Sequence, residues 1–433
     1  MLAFNGCRVI AFETAHFKTN SISFNLIQDL GQATATQNAL LMKVLRRGCL
    51  QYKSSKEIAI ALESSFGATL SVKIEKAGDT QITGFVCSFP ADEFVGERLT
   101  NQLVALLLSL IFEPLQEGAG FRTDYFDQEK AVLREEIEGQ KDDKKTYALQ
   151  RCVELMFPGE PYQYNELGDL EQLDNITNEG LFAHYQETLR KAQMVVFLSG
   201  RFHENNIDEF SILLKQKIQK IRRTIETKNL ANTTLKVRLA PGDAGAPSLQ
   251  EFVEALDVTQ GKLTIGFTTE TPPSTAEYVS LMVANSIFGG GMHSKLFTEV
   301  REKESLAYYS MSMMDKYKGV IFVTAGIDAQ NKEKTQSLIL AQLEKIQNGE
   351  ISDFELSAAR KALINSLRSL GDSQLSVQAF HFGQLLAGST FSIADLIAQI
   401  STVTSAQVIA AAQRIKPHTL YFMTGNEGLE VAP

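Results

Sequence analysis

Histidine is scarce in this sequence, and the few histidines that occur are scattered. The chain has 433 residues and six histidines, and no two of these lie one helical turn apart. A helical zinc motif needs two imidazoles at that spacing. The sequence therefore excludes every hydrolase that holds its own metal with two histidines on one helix.

Paired cysteines and long apolar runs are also missing. The four cysteines form no C-x-x-C, so neither a zinc ribbon nor a dense disulfide framework is expected, and buried reduced thiols are predicted. Cys152 and His184 could form a nucleophile and its base, but any chain with both residue types offers such a pair. The longest apolar run, 103–112, is too short for a bilayer, and the N-terminus resembles no signal peptide. We therefore expect a cytoplasmic protein with no membrane partner.

The chain has no excess of positive charge either. It carries 42 basic and 51 acidic residues, a formal net charge of −9. Binding to duplex nucleic acid needs a basic face, so nucleic acid is not an expected partner. With 44% hydrophobic and 21% charged residues, the composition is typical of a soluble globular protein.

Strand-like and helical patterns alternate along the chain, and the alternation occurs twice. Strict polar–apolar alternation predicts strands, and apolar residues three to four apart predict amphipathic helices. In the first half these patterns predict strands at 21–26, 69–74, 81–89 and 194–198, and helices at 37–45, 56–63, 92–110, 125–138 and 178–190. In the second half they predict strands at 261–268, 307–313, 319–325 and 419–425, and helices at 276–288, 331–347 and 352–370.

The two halves also match in local sequence. F-D-Q-E at 126–129 corresponds to F-E-L-S at 354–357, and F-L-S-G at 197–200 to F-M-T-G at 422–425, with nearly the same offset. A repeat of this length indicates two duplicated domains. We predict an α+β fold with domains at 1–225 and 250–433 and a linker at 226–249, each domain a mostly antiparallel sheet with helices on one face.

A glycine-rich segment, F-G-G-G-M-H-S-K-L-F at 288–297, follows a predicted helix. It lacks the G-x-x-x-x-G-K-[ST] spacing of a phosphate loop, which also follows a strand, so nucleotide binding is not expected. A helix end that needs left-handed or closely approaching backbone is the better interpretation. Beyond it, Arg301 and Tyr308 lie on either side of a predicted helix-to-strand transition.

The run from the glycines through S-K-L-F-x-E-V-R-E-K-x-S-L-A-Y resembles the C-terminal half of the insulinase/pitrilysin peptidase family. More narrowly, it resembles the two-domain branch that includes the mitochondrial processing peptidase, over nearly the whole chain. In that family an arginine and a tyrosine at this spacing contact the substrate backbone and the reacting carbonyl. The matching residues are Arg301 and Tyr308. A guanidinium offers forked donors to carbonyls, and a phenol can donate to an oxyanion.

The first half departs from the family pattern. Active members carry H-x-x-E-H on a helix, in which the two histidines bind zinc and the glutamate acts as general base. Here Ala39 and Lys43 match the histidines, and Met42 matches the glutamate. The third zinc ligand matches Glu136, with Glu129 as a companion acid on a solvated or ion-paired helix face. One carboxylate does not hold zinc, so no metal is expected in this chain.

A lost zinc motif beside a kept Arg/Tyr pair is typical of one subunit of bacterial heterodimeric pairs, the type associated with aminopentanol modification of elongation factor P. The resemblance implies a non-catalytic subunit that lends Arg301 and Tyr308 to peptide positioning in the site of a zinc-bearing homologous partner. The alternative is a non-enzymatic peptide-binding or scaffold protein, which could be homodimeric, in a protein-modification pathway. An independent hydrolase is not supported, because no nucleophile–base motif such as G-x-S-x-G is present.

Overall fold

The computed structural model describes residues 2–221, 239–240 and 249–425, which form two units. Of these residues, the first unit contains 2–139, 164–221 and 374–379, and the second contains the rest. The predicted linker, 226–249, lies outside the described residues except for 239–240 and 249.

The secondary structure alternates between strands and helices in both units. The strands are β1 (Leu2–Phe4), β2 (Cys7–Glu13), β3 (Thr19–Asp29), β4 (Thr69–Ala77), β5 (Thr80–Pro90), β6 (Gln116–Glu117), β7 (Gly120–Phe121), β8 (Gln193–Gly200), β9 (Gln250–Ala255), β10 (Gly261–Thr268), β11 (Ala307–Asp315), β12 (Val320–Ile327) and β13 (Lys416–Thr424). The α-helices are α1 (Gln32–Arg46), α2 (Ser55–Ser64), α3 (Asp92–Val95), α4 (Leu99–Phe112), α5 (Thr123–Gly139), α6 (Lys144–Met156), α7 (Leu170–Asn175), α8 (Asn178–Lys191), α9 (Glu204–Ile221), α10 (Ala276–Gly289), α11 (Lys332–Gln347), α12 (Asp353–Ser369), α13 (Gln374–Ala387), α14 (Ile393–Thr402) and α15 (Ser405–Ala412). A π-helical segment covers Leu296–Lys303.

Apart from the extra edge strand β1, the two main sheets have the same strand order, as a duplication requires. In the first unit the order is β1-β2-β8-β3-β5-β4, and in the second it is β11-β12-β10-β13-β9. Read from the opposite edge, β4-β5-β3-β8-β2 corresponds strand by strand to the second sheet. Each sheet has one parallel pair, β2 with β8 and β9 with β13, and its other pairs are antiparallel. The predicted α+β class with mostly antiparallel sheets is therefore confirmed.

In each unit one face of the sheet packs against several helices, and strands such as β3 and β10 alternate apolar and polar side chains accordingly. In the first unit, Ile22, Phe24 and Leu26 of β3 belong to a core that includes the apolar face of α1 and nearly all of α4. In the second unit, Leu263 and Ile265 of β10 belong to the equivalent core, to which α10 and α15 contribute.

Helix α6 covers the other face of the second sheet, and the sequence patterns did not predict it. Its Cys152, Val153 and Met156 form a separate core with residues of β12 and β13. The sequence-based division assigned residues 140–163 to the first domain. The structure places them in the second unit because the apolar face of α6 packs on strands of the second half.

The helix predicted at 92–110 is two helices, α3 and α4. The chain breaks at Gly96, whose φ of 73° is left-handed and cannot continue a right-handed helix. The Asp92 carboxylate then accepts hydrogen bonds from the backbone N–H and the hydroxyl of Thr100, both at 3.0 Å, and so fixes the first turn of α4. At the start of α2, the Ser54 hydroxyl caps the helix by accepting a hydrogen bond from the Glu57 N–H.

The apolar helices are short. Among the described residues, no single helix is long and apolar enough to cross a membrane. Helices α14 and α15 reach that length only as a pair, with a bend of 103° between them.

Candidate functional site

The positions that match the zinc motif lie on one face of α1, which packs in the first unit. Ala39 is fully buried and Met42 is 1% exposed, and both belong to the apolar core. Helical residues three and four positions apart share a face, so Lys43 lies beside them. Two of the three positions have therefore become ordinary core residues.

Lys43 forms an ion pair with Glu136, the residue that matches the third zinc ligand. Its Nζ lies 2.6 Å from the Glu136 Oε1, and the Lys43 side chain is only 15% exposed. Helix α5 supplies the glutamate. The structure thus brings together these two sequence-predicted positions as a lysine–carboxylate pair.

Glu129, one helical repeat before Glu136, belongs to a second pair. The Nη1 of Arg47 lies 3.3 Å from its Oε1, and Arg47 also donates to the Gln128 side chain. Burial raises the pKa of Glu129, whereas the positive charges of Arg47 and Lys43 lower it. Both glutamates are therefore ion-paired, which is one of the two interpretations made from the sequence.

This donor set does not fit zinc. An alanine, a thioether and an ammonium supply none of the imidazole or carboxylate ligands that zinc takes, and the Glu136 carboxylate is already paired with Lys43. No cluster of three metal-binding side chains occurs in the part of the chain that the structure describes.

Arg301 lies on the outer side of the π-helical segment in the second unit. Leu296 and Val300 of that segment are buried in the core, which leaves the Arg301 side chain 44% exposed. Its guanidinium stacks on the Phe297 ring at 4.8 Å. Among the described residues its one ionic neighbour is Glu302, at 3.7 Å, beyond hydrogen-bonding distance. The guanidinium donors are thus available to a ligand.

Tyr308 lies where the pairing of β11 shifts register. Ala307 pairs with Ile327 and Tyr309 with Gly326, so Tyr308 is an extra residue in the strand. Such a bulge re-aims the side chains around it. Tyr308 is 67% exposed, so its phenol is open to solvent.

A cavity of ≈ 330 Å³ lies beside Arg301, within the second unit. Its wall contains Tyr309 rather than Tyr308, together with residues of the glycine-rich segment and of β11 that were not assigned to the site from the sequence. The lining residues are Gly289, Gly290, Gly291, Met292, Phe297, Arg301, Tyr309, Ser310, Met311 and Ser312.

Two serines of β11 are among the lining residues, and their hydroxyl groups differ in their partners. Ser312 donates a hydrogen bond to the Asn285 carbonyl at 3.3 Å. Ser310 is 5% exposed, and its Oγ has no hydrogen-bond partner. A buried hydroxyl without a partner costs stability, so it marks a place where a ligand group could bind.

Charged groups of both signs lie near Tyr309. Lys145 and Lys262 lie over its ring, with their ammonium groups 4.9 and 5.9 Å from the ring centroid. Burial, and then the negative charge of Asp143, raise the pKa of Tyr309 to about 12. Burial lowers the pKa of Lys262, against the opposing effect of Asp143. Tyr309 therefore keeps its proton at neutral pH and remains a hydrogen-bond donor.

The glycine-rich segment is a close-approach helix end, as one interpretation of the sequence predicts. A Cβ on Gly289 would lie 2.6 Å from the Ser312 backbone nitrogen, so α10 ends directly against β11. None of the three glycines has a positive φ, so the left-handed alternative does not apply. His293, beyond the glycines, forms a hydrogen bond with Ser286 at 3.1 Å.

Cys152 and His184 each have partners of their own. The Cys152 thiol is buried and contacts the carbonyl oxygens of Thr264 and Thr419 at 3.9 Å. The His184 Nε2 lies 2.6 Å from the Asn38 Oδ1. Burial raises the pKa of the Cys152 thiol to about 12, which opposes the thiolate that a nucleophile needs.

Known proteins share the sequence of this chain over most of its length. The family model described as the peptidase M16 inactive domain matches residues 175–363. The probable inactive metalloprotease YmfF of Bacillus subtilis is 30% identical over 420 residues, covering 96% of this chain and 95% of that protein. An uncharacterized zinc protease of Streptomyces coelicolor is 22% identical over 343 residues, covering 77% of this chain and 72% of that protein.

Solved structures share the fold over its full length. A conserved protein from Enterococcus faecalis superposes with a TM-score of 0.87 at 25% identity, covering 98% of this chain and 97% of that one. A structure titled as a peptidase M16 inactive domain from Pseudomonas fluorescens has a TM-score of 0.76 at 18% identity, with the same coverage. At that identity, the second comparison shows the fold alone.

Proposed function

The chain belongs to the peptidase M16 family as an inactive-type homologue, and we propose that it is the zinc-less, non-catalytic subunit of a heterodimeric metallopeptidase. A homologous partner carries H-x-x-E-H and the zinc. This chain contributes Arg301 and Tyr308, which position an extended peptide in the partner's site. The complex acts in the cytoplasm and involves neither nucleic acid nor a membrane.

One contrast within the chain supports this proposal most strongly. The first unit has replaced its metal positions with core residues and the Lys43–Glu136 ion pair. The second unit keeps Arg301 and Tyr308 exposed, with little competing for their polar groups. The chain thus keeps exposed residues that can bind a peptide although it lacks the metal ligands for cleavage. This combination fits a subunit that holds the substrate for a catalytic partner.

The two side chains suit the backbone of an extended peptide. A guanidinium presents planar, forked N–H donors that can hold neighbouring carbonyl oxygens. The ring of Phe297 supports the Arg301 guanidinium from one side and restricts its motion. The Tyr308 phenol can donate a hydrogen bond to a carbonyl whose oxygen gains negative charge during attack.

The test is reconstitution with a homologue that bears H-x-x-E-H. We expect the two chains to co-purify, and the pair to cleave a quenched fluorescent peptide library at least about tenfold faster than the homologue alone. Arg301→Ala and Tyr308→Phe in this chain should each lower kcat/KM by about tenfold or more, because each removes a hydrogen bond to the reacting region.

The matched control is Lys303→Ala on the same π-helical segment. Lys303 is exposed and pairs with Glu299 at 3.1 Å, away from the cavity lining, so its loss should leave cleavage unchanged. Cleavage no faster than that of the homologue alone, or unaffected by Arg301→Ala, would overturn the proposal.

The cavity beside Arg301 favours a second candidate, a peptide-binding or scaffold protein without a catalytic partner. It is lined entirely by residues of this chain's second unit, so peptide binding there needs no other subunit. This candidate includes a homodimer serving a protein-modification pathway. Light scattering of the purified chain measures its oligomeric state, and peptide binding by the chain alone, without co-purification of any homologue, would favour it.

A further inference from the structure

The cavity beside Arg301 has features that a general backbone-binding surface does not need. Its volume, ≈ 330 Å³, is near the lower end of the range for ligand pockets, about 300–1,000 Å³. A whole peptide does not fit such a space, but one side chain or one chain terminus does. The polar and apolar groups on its wall therefore indicate which kind of group it accepts.

Three of those groups are hydrogen-bond donors. The Arg301 guanidinium lies at the wall with no hydrogen-bonded partner among the described residues. The Ser310 hydroxyl is buried there without a partner. Tyr309 is a further lining residue, and its hydroxyl stays protonated. Hydrogen-bond donors with few acceptors nearby suit a ligand group that only accepts hydrogen bonds.

The other large side chains of the wall are apolar, and two lysines lie near it. Phe297, Met292 and Met311 supply carbon and sulfur surface for a methylene stem. Lys145 and Lys262 lie over the Tyr309 ring. The acids that oppose these cations, Asp143 and Glu302, do not line the cavity. Among the described residues of the cavity wall, Arg301 is the one charged residue, so the wall favours a negatively charged group.

We propose that this cavity is a carboxylate-selective subsite that binds an acidic side chain or the C-terminal carboxylate of a peptide. Arg301 pairs with the carboxylate through its planar fork, and the Ser310 hydroxyl donates to one carboxylate oxygen. This inference rests on the proposed function, because it places the peptide on the Arg301 face. It adds a substrate class, peptides with a carboxylate at one position.

The experiment uses the full-length chain and three fluorescein-labelled, alanine-rich peptides of equal length. One has a central glutamate and an amidated C-terminus, the second has glutamine in its place, and the third is the glutamine peptide with a free C-terminal carboxylate. Fluorescence anisotropy gives the three Kd values. We expect at least one carboxylate peptide to bind about tenfold or more tightly than the amidated glutamine peptide, and added salt to reduce the difference.

Variants test which residues cause the preference. Arg301→Gln should abolish it, and Ser310→Ala should reduce it several-fold. Ser312→Ala is matched to Ser310→Ala and should have the smaller effect, because Ser312 already donates to the Asn285 carbonyl. Ser310→Ala removes an unpartnered buried hydroxyl, so it should not destabilise the fold.

The outcomes separate this inference from the proposed function. Tighter binding of the glutamate peptide identifies a side-chain carboxylate, and tighter binding of the free-acid peptide identifies a chain terminus. Equal affinity for all three peptides overturns carboxylate selectivity and leaves peptide positioning intact. Failure of all three to bind, with or without the zinc-bearing homologue, overturns both.

Discussion

The ammonium of Lys43 lies 2.6 Å from the carboxylate of Glu136, and this pair joins helices α1 and α5. By family resemblance, Glu136 matches the position of a zinc ligand, and Lys43 places a positive charge beside this carboxylate. The contact between α1 and α5 is thus made by side chains of the chain itself.

Breaking this pair should lower the free energy of unfolding, because it leaves one charge partly buried and unpaired. For Lys43→Met and Glu136→Gln we expect a coupling free energy of about 1 kcal/mol in a double-mutant cycle, measured by urea denaturation. The matched control is the i,i+4 pair of Glu187 and Lys191 on α8, whose lysine is 76% exposed and whose coupling should be at most about 0.5 kcal/mol. Equal coupling in both pairs would contradict the expectation.

Restoring the metal ligands should restore zinc binding. We expect the triple variant Ala39→His, Met42→Glu, Lys43→His to retain about one zinc per chain after dialysis, measured by elemental analysis, because Glu136 is then freed to act as third ligand. The wild-type chain should retain far less than one. Adding Glu136→Gln to the triple variant is the control and should weaken retention. A variant that folds, by circular dichroism, yet retains no zinc would show that α1 and α5 are not arranged as in active relatives.

Hydrophobic periodicity within short segments correctly predicted several helices and strands. The helical patterns at 37–45 and 56–63 fall inside α1 and α2, and the alternation at 21–26 falls inside β3. Helix α6 was missed because its apolar face packs on a sheet built from the other half of the chain, so its burial depends on tertiary structure. The Lys43–Glu136 contact likewise depends on how two helices pack. The sequence alone did not decide whether this glutamate is solvated or ion-paired.

The residues that line the cavity were only partly predicted from the sequence. Spacing and resemblance led to Arg301 and Tyr308, but the wall contains Tyr309 and Ser310. The cause is the register shift at the start of β11, which breaks simple alternation of side chains along the strand. The adjacent tyrosines were the available signal, since two neighbouring aromatic residues on one strand rarely serve the same face.

Gly289 should not tolerate a side chain. A Cβ there would meet the Ser312 backbone nitrogen at 2.6 Å, and backbone cannot yield as a flexible side chain does. We expect Gly289→Ala to lower the free energy of unfolding by about 1–3 kcal/mol and to weaken peptide binding. The control is Gly291→Ala, whose Cβ would meet only the His293 ring, at 3.2 Å and beyond. If thermal denaturation shows equal losses for the two variants, the close approach is not the cause.

The four cysteines should be unreactive in the native protein. All are buried, and burial raises the pKa of Cys87 and of Cys152 to about 12, so little thiolate is present. We expect Ellman's reagent at about pH 8 to detect almost no thiol in the native protein and all four in guanidinium chloride. A Lys303→Cys variant is the positive control and should react rapidly, because that position is 65% exposed. A fast native thiol in the wild type would contradict the expectation.

Neither unit is encoded by one continuous stretch of sequence. The first unit is completed by Gln374 and Gln378, whose amides bond to Thr19, Ser21 and Ser199 on its sheet. During synthesis these strands emerge long before the two glutamines. The first sheet therefore gains these hydrogen bonds only after most of the chain has been made. Division of the chain at the predicted linker would remove residues 374–379 from the first unit and 140–163 from the second. Each half would then lack part of its own unit.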